Sequence, residues 1–432
     1  MHSATLVRLL LALAASASAI PTKRAQPGSA ASIQNFKDKI KNVVVLVMEN
    51  RSLDNLLGGQ TLKGLENPIN SGPYCNPYNL TAASEGNVCS AAKDYDSVSD
   101  DPDHGVYGNN LEFYGTFNPD ESLVQSGALT PSQNGFVHEQ IRLYASDANR
   151  SELATQVMNY YTEEQVPVLT ALVQNFLTFN HWHSDVPGPT NPNRAALVSG
   201  TTYGHGSNDD SFTEHAFPQV SIWQALTETN HTWLNYWDTA GGTGPDAGYF
   251  NWTYNTGNQD KIVDLETFYT DAAAGTLPEL AYINPSCCGV GTNSMHPSGL
   301  VSDGEALIRR VYDAARAGPQ WKNTLFVLSF DETGGFHDHD YTFTFNRLGG
   351  RIPTLLISDW VSEGYVEQQG TNAAGETVSY SATSILRSLG YLWGFEPFNP
   401  RVEHAPSFDH LIQTKARNNT PTALPTATPF KR

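Results

Sequence analysis

Cations, sulfur and long apolar runs are all scarce in this sequence. Only 25 of the 432 residues are Lys or Arg, against 44 Asp and Glu, which leaves a formal charge of −19. That balance argues against a nucleic-acid partner, because phosphate backbones are held by excess Lys and Arg. It argues equally against electrostatic adhesion to an anionic membrane. No stretch beyond the N-terminus reaches the roughly 18 apolar residues that suggest a bilayer-crossing helix, so no transmembrane segment is expected. The four cysteines contain no Cys-x-x-Cys spacing, which disfavours a cysteine-only metal site. Also missing are a Gly-x-Ser-x-Gly elbow, a His-Glu-x-x-His pair, a Walker loop and a Gly-x-Gly-x-x-Gly fingerprint. Their absence removes the commonest esterase, zinc-protease and nucleotide-binding readings.

The ends of the chain point to export. Arg8 precedes an apolar run, Leu9 to Ala15, and Ala17-Ser18-Ala19 has the small-x-small pattern of a cleavage site. Residues 1–19 are therefore expected to be a secretory signal and the protein to be secreted. Residues 20–39 form a separate N-terminal segment, where Lys23-Arg24 reads equally as a second processing point or as ordinary polar sequence. Asn79, Asn149, Asn230, Asn251 and Asn418 each begin an N-glycosylation pattern. Residues 416–432, rich in Pro and Thr, are expected to be a flexible tail, with no terminal apolar run for a GPI anchor. In an oxidising compartment the cysteines should be paired. Three pairings are open, and Cys75 with Cys89 is favoured, leaving Cys287 beside Cys288.

Between the ends, residues 40–415 read as one catalytic domain. Val43 to Met48 is a continuous apolar run, as in a strand buried on both faces. Leu280 to Ile283, Thr324 to Phe330 and Ile352 to Ser358 are similar. Helical stripes lie between them: Val166, Leu169, Leu172, Val173 and Phe176; then Ala306, Leu307 and Val311 after a Ser302/Glu305 capping box; then Ile385, Leu386, Leu389 and Leu392. Alternating strands and helices give an α/β fold with a mostly parallel central sheet. The long Gly58 to Phe136 stretch has little periodicity and predicts decorating loops or an inserted subdomain.

In such sheets ligands gather at the carboxyl ends of the strands. Glu49-Asn50 follows the first strand and Asp331-Glu332 follows Phe330. Carboxylates brought together there need positive charge between them. Oxygen donors of this kind suit a hard divalent cation, whose identity the sequence does not specify. A second signal is Val186-Pro187-Gly188-Pro189-Thr190-Asn191-Pro192-Asn193-Arg194. Its Pro-Gly-Pro turn leads into a helix with Asn191 as N-cap and Pro192 at the first helical position. A hydroxyl at Thr190 would lie where a helix favours an anion. Beside a metal it could attack phosphorus, with Arg194 clamping a phosphoryl oxygen. His296, in a Gly/Ser-rich loop, could protonate a leaving group.

These blocks, taken together, resemble the phosphoesterase family of phospholipase C enzymes and acid phosphatases. The matching stretches are Val43 to Asp54, Val186 to Thr201, Tyr282 to Pro297 and Asp331 to His339, in order. The resemblance implies an alkaline-phosphatase-like three-layer sandwich and a hydroxyl nucleophile at Thr190. It implies a metal centre at Glu49, Asn50, Asp331 and Glu332, and active-site histidines at His296 and His339. Asp103-His104 is similar to a weaker block, which adds His104. Ala382 departs from the pattern, since many relatives carry His there. The activity implied is that of a secreted, metal-dependent phosphoesterase of phospholipase C type. It would act on a phospholipid or other phosphate ester through a covalent phospho-enzyme. An acid phosphatase acting on monoesters with the same machinery is the alternative. A non-catalytic glycoprotein is disfavoured because hydroxyl and carboxylates are present.

Overall fold

The stretch Asn42–Met48 (β1) has only one polar residue, and it is buried at every position. The computed structural model places it near the middle of an eight-stranded sheet, and describes residues 25–240, 244–340 and 348–430. The expected signal at residues 1–19 and the Lys23-Arg24 pair lie outside the described residues. The other strands are Leu177–Phe179 (β2), Trp233–Trp237 (β3), Ile262–Asp264 (β4), Leu280–Asn284 (β5), Thr324–Phe330 (β6), Leu355–Ile357 (β7) and Tyr365–Glu367 (β8). Their order is β8-β2-β7-β6-β1-β5-β3-β4. Five neighbouring pairs are parallel, and the two made by β7 are antiparallel. The fold is therefore α/β with a mostly parallel sheet.

Strands buried along their whole length need cover on both faces. Two sets of mutually packed helices supply it. One comprises Pro167–Asn175 (α3), Leu265–Ala274 (α5) and Val301–Ala317 (α6); the other comprises Ala30–Lys39 (α1), Thr190–Ser199 (α4) and Thr383–Trp393 (α7). A short helix, Leu53–Leu57 (α2), follows the tip of β1 and is wholly buried. The stretch after Gly58 carries short helices with a small core of their own, built on Phe113, Phe136, Val137, Ala154, Val157 and Met158.

Several sequence expectations are corrected. Ser302 and Glu305 do not form a capping box. The hydroxyl of Ser302 donates to Asp96 at 2.7 Å, and the Glu305 carboxylate accepts from the amides of Val168 (2.9 Å) and Leu169 (2.7 Å) at the start of α3. A carboxylate from one helix thus caps its neighbour, satisfying donors that α3 cannot satisfy itself. Helix α4 begins at Thr190 with Pro189 as N-cap, not at Pro192 after Asn191. The strand expected over 352–358 is regular only at Leu355–Ile357; Pro353, which has no amide for a ladder, lies before it, although the amide of Ile352 still donates to the Trp182 carbonyl.

Both segments flanking the expected 40–415 domain make contact with it. Helix α1, placed in the separate segment 20–39, buries Phe36 against Phe408, and Asn35 donates to the carbonyl of Ile412. The segment 416–430 is laid along the domain rather than free of it. The Tyr312 hydroxyl donates to the Pro421 carbonyl at 2.7 Å, Leu424 is buried, and the amide of Phe430 donates to Asp96 at 3.1 Å. Its Pro and Thr lack periodicity, but they still offer carbonyls and small apolar faces to α6. Cys75 is bonded to Cys89 across a two-stranded hairpin, and Cys287 to Cys288.

Candidate active site

β1 and β6 run parallel and in register up to Met48 opposite Phe330. Glu49 and Asp331 therefore leave the sheet side by side, and the Asp331 amide still donates to the Met48 carbonyl. The chain then turns sharply: Asn50 adopts φ +57°. That turn aims the Asn50 amide at Asp331 Oδ1, 3.0 Å away, and the Glu332 amide donates to the same oxygen at 2.7 Å. Gly334 lies against this turn with φ +67°, and a Cβ there would fall 2.2 Å from the Asn50 carbonyl oxygen, so only glycine fits.

Thr190, the first residue of α4, points its hydroxyl at the same place. Its Oγ1 is 3.4 Å from Asn50 Oδ1, and the residue is buried. The Asn50 amide nitrogen Nδ2 donates to His104 Nε2 at 3.2 Å, while His104 Nδ1 donates to the Pro102 carbonyl at 2.8 Å. His296 packs edge-on to His104, with ring centroids 5.9 Å apart, and donates from Nδ1 to the Pro297 carbonyl. Asp101 approaches both rings, at 3.9 Å from His104 and 3.8 Å from His296. Thr190, Asn50, Asp331, His104 and His296 thus form one connected group.

Arg194 is placed differently from the expected clamp. Its guanidinium is buried and lies 2.9 Å from Glu49, 3.4 Å from Asp246 and 3.4 Å from Asp331. It is the counter-ion of the carboxylates, held also by the Val47 carbonyl. Asp246 in turn accepts from the Tyr282 hydroxyl at 2.6 Å and from Asn284 at 2.9 Å. Burial pushes the Glu49 carboxyl up to about 8 despite Arg194, with the charges of Asp331 and Asp246 adding to the rise. Burial also raises Asp331, against Arg194, and lifts Glu332 well above the carboxylate range with help from Asp331.

Three buried carboxylates therefore share the Arg194 guanidinium, and Glu332 adds a fourth buried acid beside Asp331, an arrangement that favours a further cation. Two oxygens are suited to receive it: Asp331 Oδ2, which faces Arg194, and Glu332 Oε1 are buried and make no hydrogen bond among the described residues. With the Asn50 and Thr190 oxygens nearby, this donor set fits a hard divalent ion. Glu332 is anchored through its other oxygen by the Gly334 amide at 2.6 Å. Glu49 Oε2 abuts Cys287, whose sulfur is oxidised and so is no thiolate ligand.

His339 lies in a neighbouring cluster. Its Nδ1 is 2.8 Å from Asp54 Oδ2, and Arg351 bonds Asp54 at 3.0 Å and Asp338 at 2.8 Å. Burial alone would lower the imidazole, but the bond to Asp54 and its charge raise it. Tyr74 stacks on His339 at 4.1 Å. The reading from sequence missed Asp101, Asp246, Asp54 and Arg351. All four lie outside periodic segments or known spacings; only Asp54, at the end of the Glu49-to-Asp54 block, was within a stretch already singled out.

Oxygen donors at adjacent strand tips beside a helix-borne hydroxyl suit hydrolysis of a phosphoric ester, and comparison with known proteins agrees. The model of the Phosphoesterase family matches residues 40–396, so the chain belongs to that family and is a phosphoric ester hydrolase. It is 31% identical to non-specific phospholipase C6 of Arabidopsis thaliana, over 92% of this chain and 77% of that protein. It is 23% identical to hemolytic phospholipase C of Pseudomonas aeruginosa, over 82% of this chain and 53% of that one. A solved structure of a protein in the alkaline phosphatase superfamily from Vibrio parahaemolyticus overlaps 56% of this chain and 63% of its own, with 13% identity and a TM-score of 0.34. Among the described residues, no helix is long and apolar enough to cross a membrane.

Proposed function

We propose that the protein is a secreted phosphoesterase of phospholipase C type that uses Thr190 as its nucleophile. The observation that carries this reading is the Thr190 hydroxyl, 3.4 Å from Asn50 within a buried carboxylate cluster where Glu332 Oε1 has no hydrogen-bond partner among the described residues. Asn50, Asp331, Glu332 and Glu49 would hold a divalent cation, which when bound supplies positive charge that favours ionisation of a nearby hydroxyl and neutralises phosphate. The Thr190 hydroxyl gives its proton to solvent, and its oxygen forms a bond to phosphorus as the bond from phosphorus to the departing alcohol breaks. His296 gives that alcohol its proton from Nε2, since Nδ1 is held by a carbonyl. Water then attacks the Thr190-linked phosphorus, restoring the hydroxyl and releasing the phosphorylated half. Arg194 keeps Glu49 and Asp331 in place. His339 and Asp54 brace the loop that follows Asp331.

The relatives suggest a phospholipid as the substrate, with diacylglycerol as the departing alcohol. Secretion is supported by the N-terminal pattern, by the paired cysteines, and by surface exposure of the glycosylation positions Asn149, Asn230 and Asn418. The test compares phosphatidylcholine with a simple phosphate monoester, on wild-type protein and on Thr190→Ala. Diacylglycerol release by wild type, reduced about 10³-fold or more by the substitution, is the expected result. Release of inorganic phosphate alone makes the protein a monoesterase. Unchanged hydrolysis by Thr190→Ala removes the nucleophile assignment.

A further inference from the structure

We propose that His181, His183 and Asp340 form a transition-metal site of the zinc class, separate from the Thr190 centre. One ligand-capable atom from each of the three lies within 4.8 Å of the others. His183 is wholly buried, and its Nδ1 is 2.9 Å from the Gly349 carbonyl. A carbonyl only accepts, so Nδ1 carries the proton and Nε2 presents a lone pair. That Nε2 is buried and has no hydrogen-bond partner among the described residues. An imidazole held through Nδ1–H by a backbone carbonyl is the usual posture of a metal-ligating histidine.

His181 completes the pair. Its Nδ1 is 2.8 Å from Asp340 Oδ2; its Nε2 is 3.1 Å from Asn180 Nδ2 and 3.9 Å from Glu66 Oε2. Read as an ion pair alone, the His181–Asp340 contact leaves the stranded Nε2 of His183 unexplained. A metal ion explains both: it would replace the His181 Nδ1 proton, released to solvent, and take the His183 lone pair. The local charge permits it. Among the described residues, the three acids Asp340, Asp338 and Asp54 face the one buried guanidinium of Arg351. Two imidazoles and one carboxylate select zinc over magnesium or calcium, which prefer oxygen. Side-chain exposures of 12% for His181 and 28% for Asp340 leave the ion a way in. Its effect would be to tie the strand Trp182–His183 to the end of the loop that carries Asp338 and His339.

The inference does not depend on the Thr190 assignment, and its test reads metal rather than turnover. Wild type, Asp340→Asn and His181→Gln are equilibrated with zinc, dialysed against metal-free buffer and assayed for zinc per chain. Their unfolding temperatures are then followed as zinc is added. Both variants alter partly exposed side chains, and circular dichroism confirms their fold. Wild type is expected to retain one zinc more per chain than either variant, and to be stabilised by zinc at concentrations at least tenfold lower. Equal zinc content in all three, with equal stabilisation, would overturn the proposal.

Discussion

Arg194 shows how one residue can hold a site without facing the substrate. The sequence reading makes it a clamp on a phosphoryl oxygen beside Thr190. The structure instead surrounds it with Glu49, Asp246 and Asp331. Asp246 lies in a Gly/Pro-rich stretch without pattern, so the partner that draws Arg194 inward could not be read beforehand. Taking one member from a buried charge group strands the rest. Arg194→Met should therefore cost about 3–5 kcal/mol of stability, measured as a shift in urea midpoint of the metal-free protein. An unchanged midpoint would mean the carboxylates need no counter-ion. His296 yields a prediction in pH. Burial lowers its pKa, against the opposing charge of Asp101 and the Pro297 carbonyl. An acid must be protonated to work, so kcat should fall as pH rises through that lowered value. His296→Gln should lower kcat and flatten that limb, and a limb that survives the substitution belongs to another group.

At the scale of elements, half of the sheet is legible: four of its eight strands, but not Leu177–Phe179, Trp233–Trp237, Ile262–Asp264 or Tyr365–Glu367. Val43–Met48 and Thr324–Phe330 are apolar throughout because both faces are covered, and such runs are hard to mistake. The antiparallel course of Leu355–Ile357 was not legible, since a short apolar run carries no direction. The caps were misread for a physical reason: Ser302 and Glu305 have capping-box spacing, but each found a stronger partner across space. Glu305 holds the first amides of the helix Pro167–Asn175. Glu305→Ala should cost about 1–3 kcal/mol for each amide it strands, with Glu305→Gln milder; denaturant titration decides, and equal stabilities would show that water replaces the carboxylate. The turn at the strand tips is a second such element. Gly334→Ala would drive a methyl into the Asn50 carbonyl. It should displace Asn50 from Thr190 and reduce hydrolysis about tenfold or more in activity assays, and a wild-type rate would mean that the turn can give way.

At the scale of the whole molecule, the −19 charge and the anionic substrate class oppose each other. The candidate centre concentrates positive charge locally, in Arg194 and in the cation its carboxylates would hold, but the field outside is set by the excess of Asp and Glu. That field reaches about 30 Å at 0.01 M ionic strength and about 8 Å at 0.15 M. An anionic lipid surface approaching the protein is therefore repelled most strongly in dilute salt, whereas a zwitterionic surface carries no net charge and is scarcely affected. Raising ionic strength from about 0.01 M to about 0.15 M should increase kcat/KM on phosphatidylglycerol vesicles several-fold and change it little on phosphatidylcholine vesicles. The effect should appear in KM rather than kcat, because the bound ester meets only the local charges of the site. A rate on anionic vesicles that falls with added salt would mean that a basic patch governs approach, contrary to the charge distribution read from the sequence.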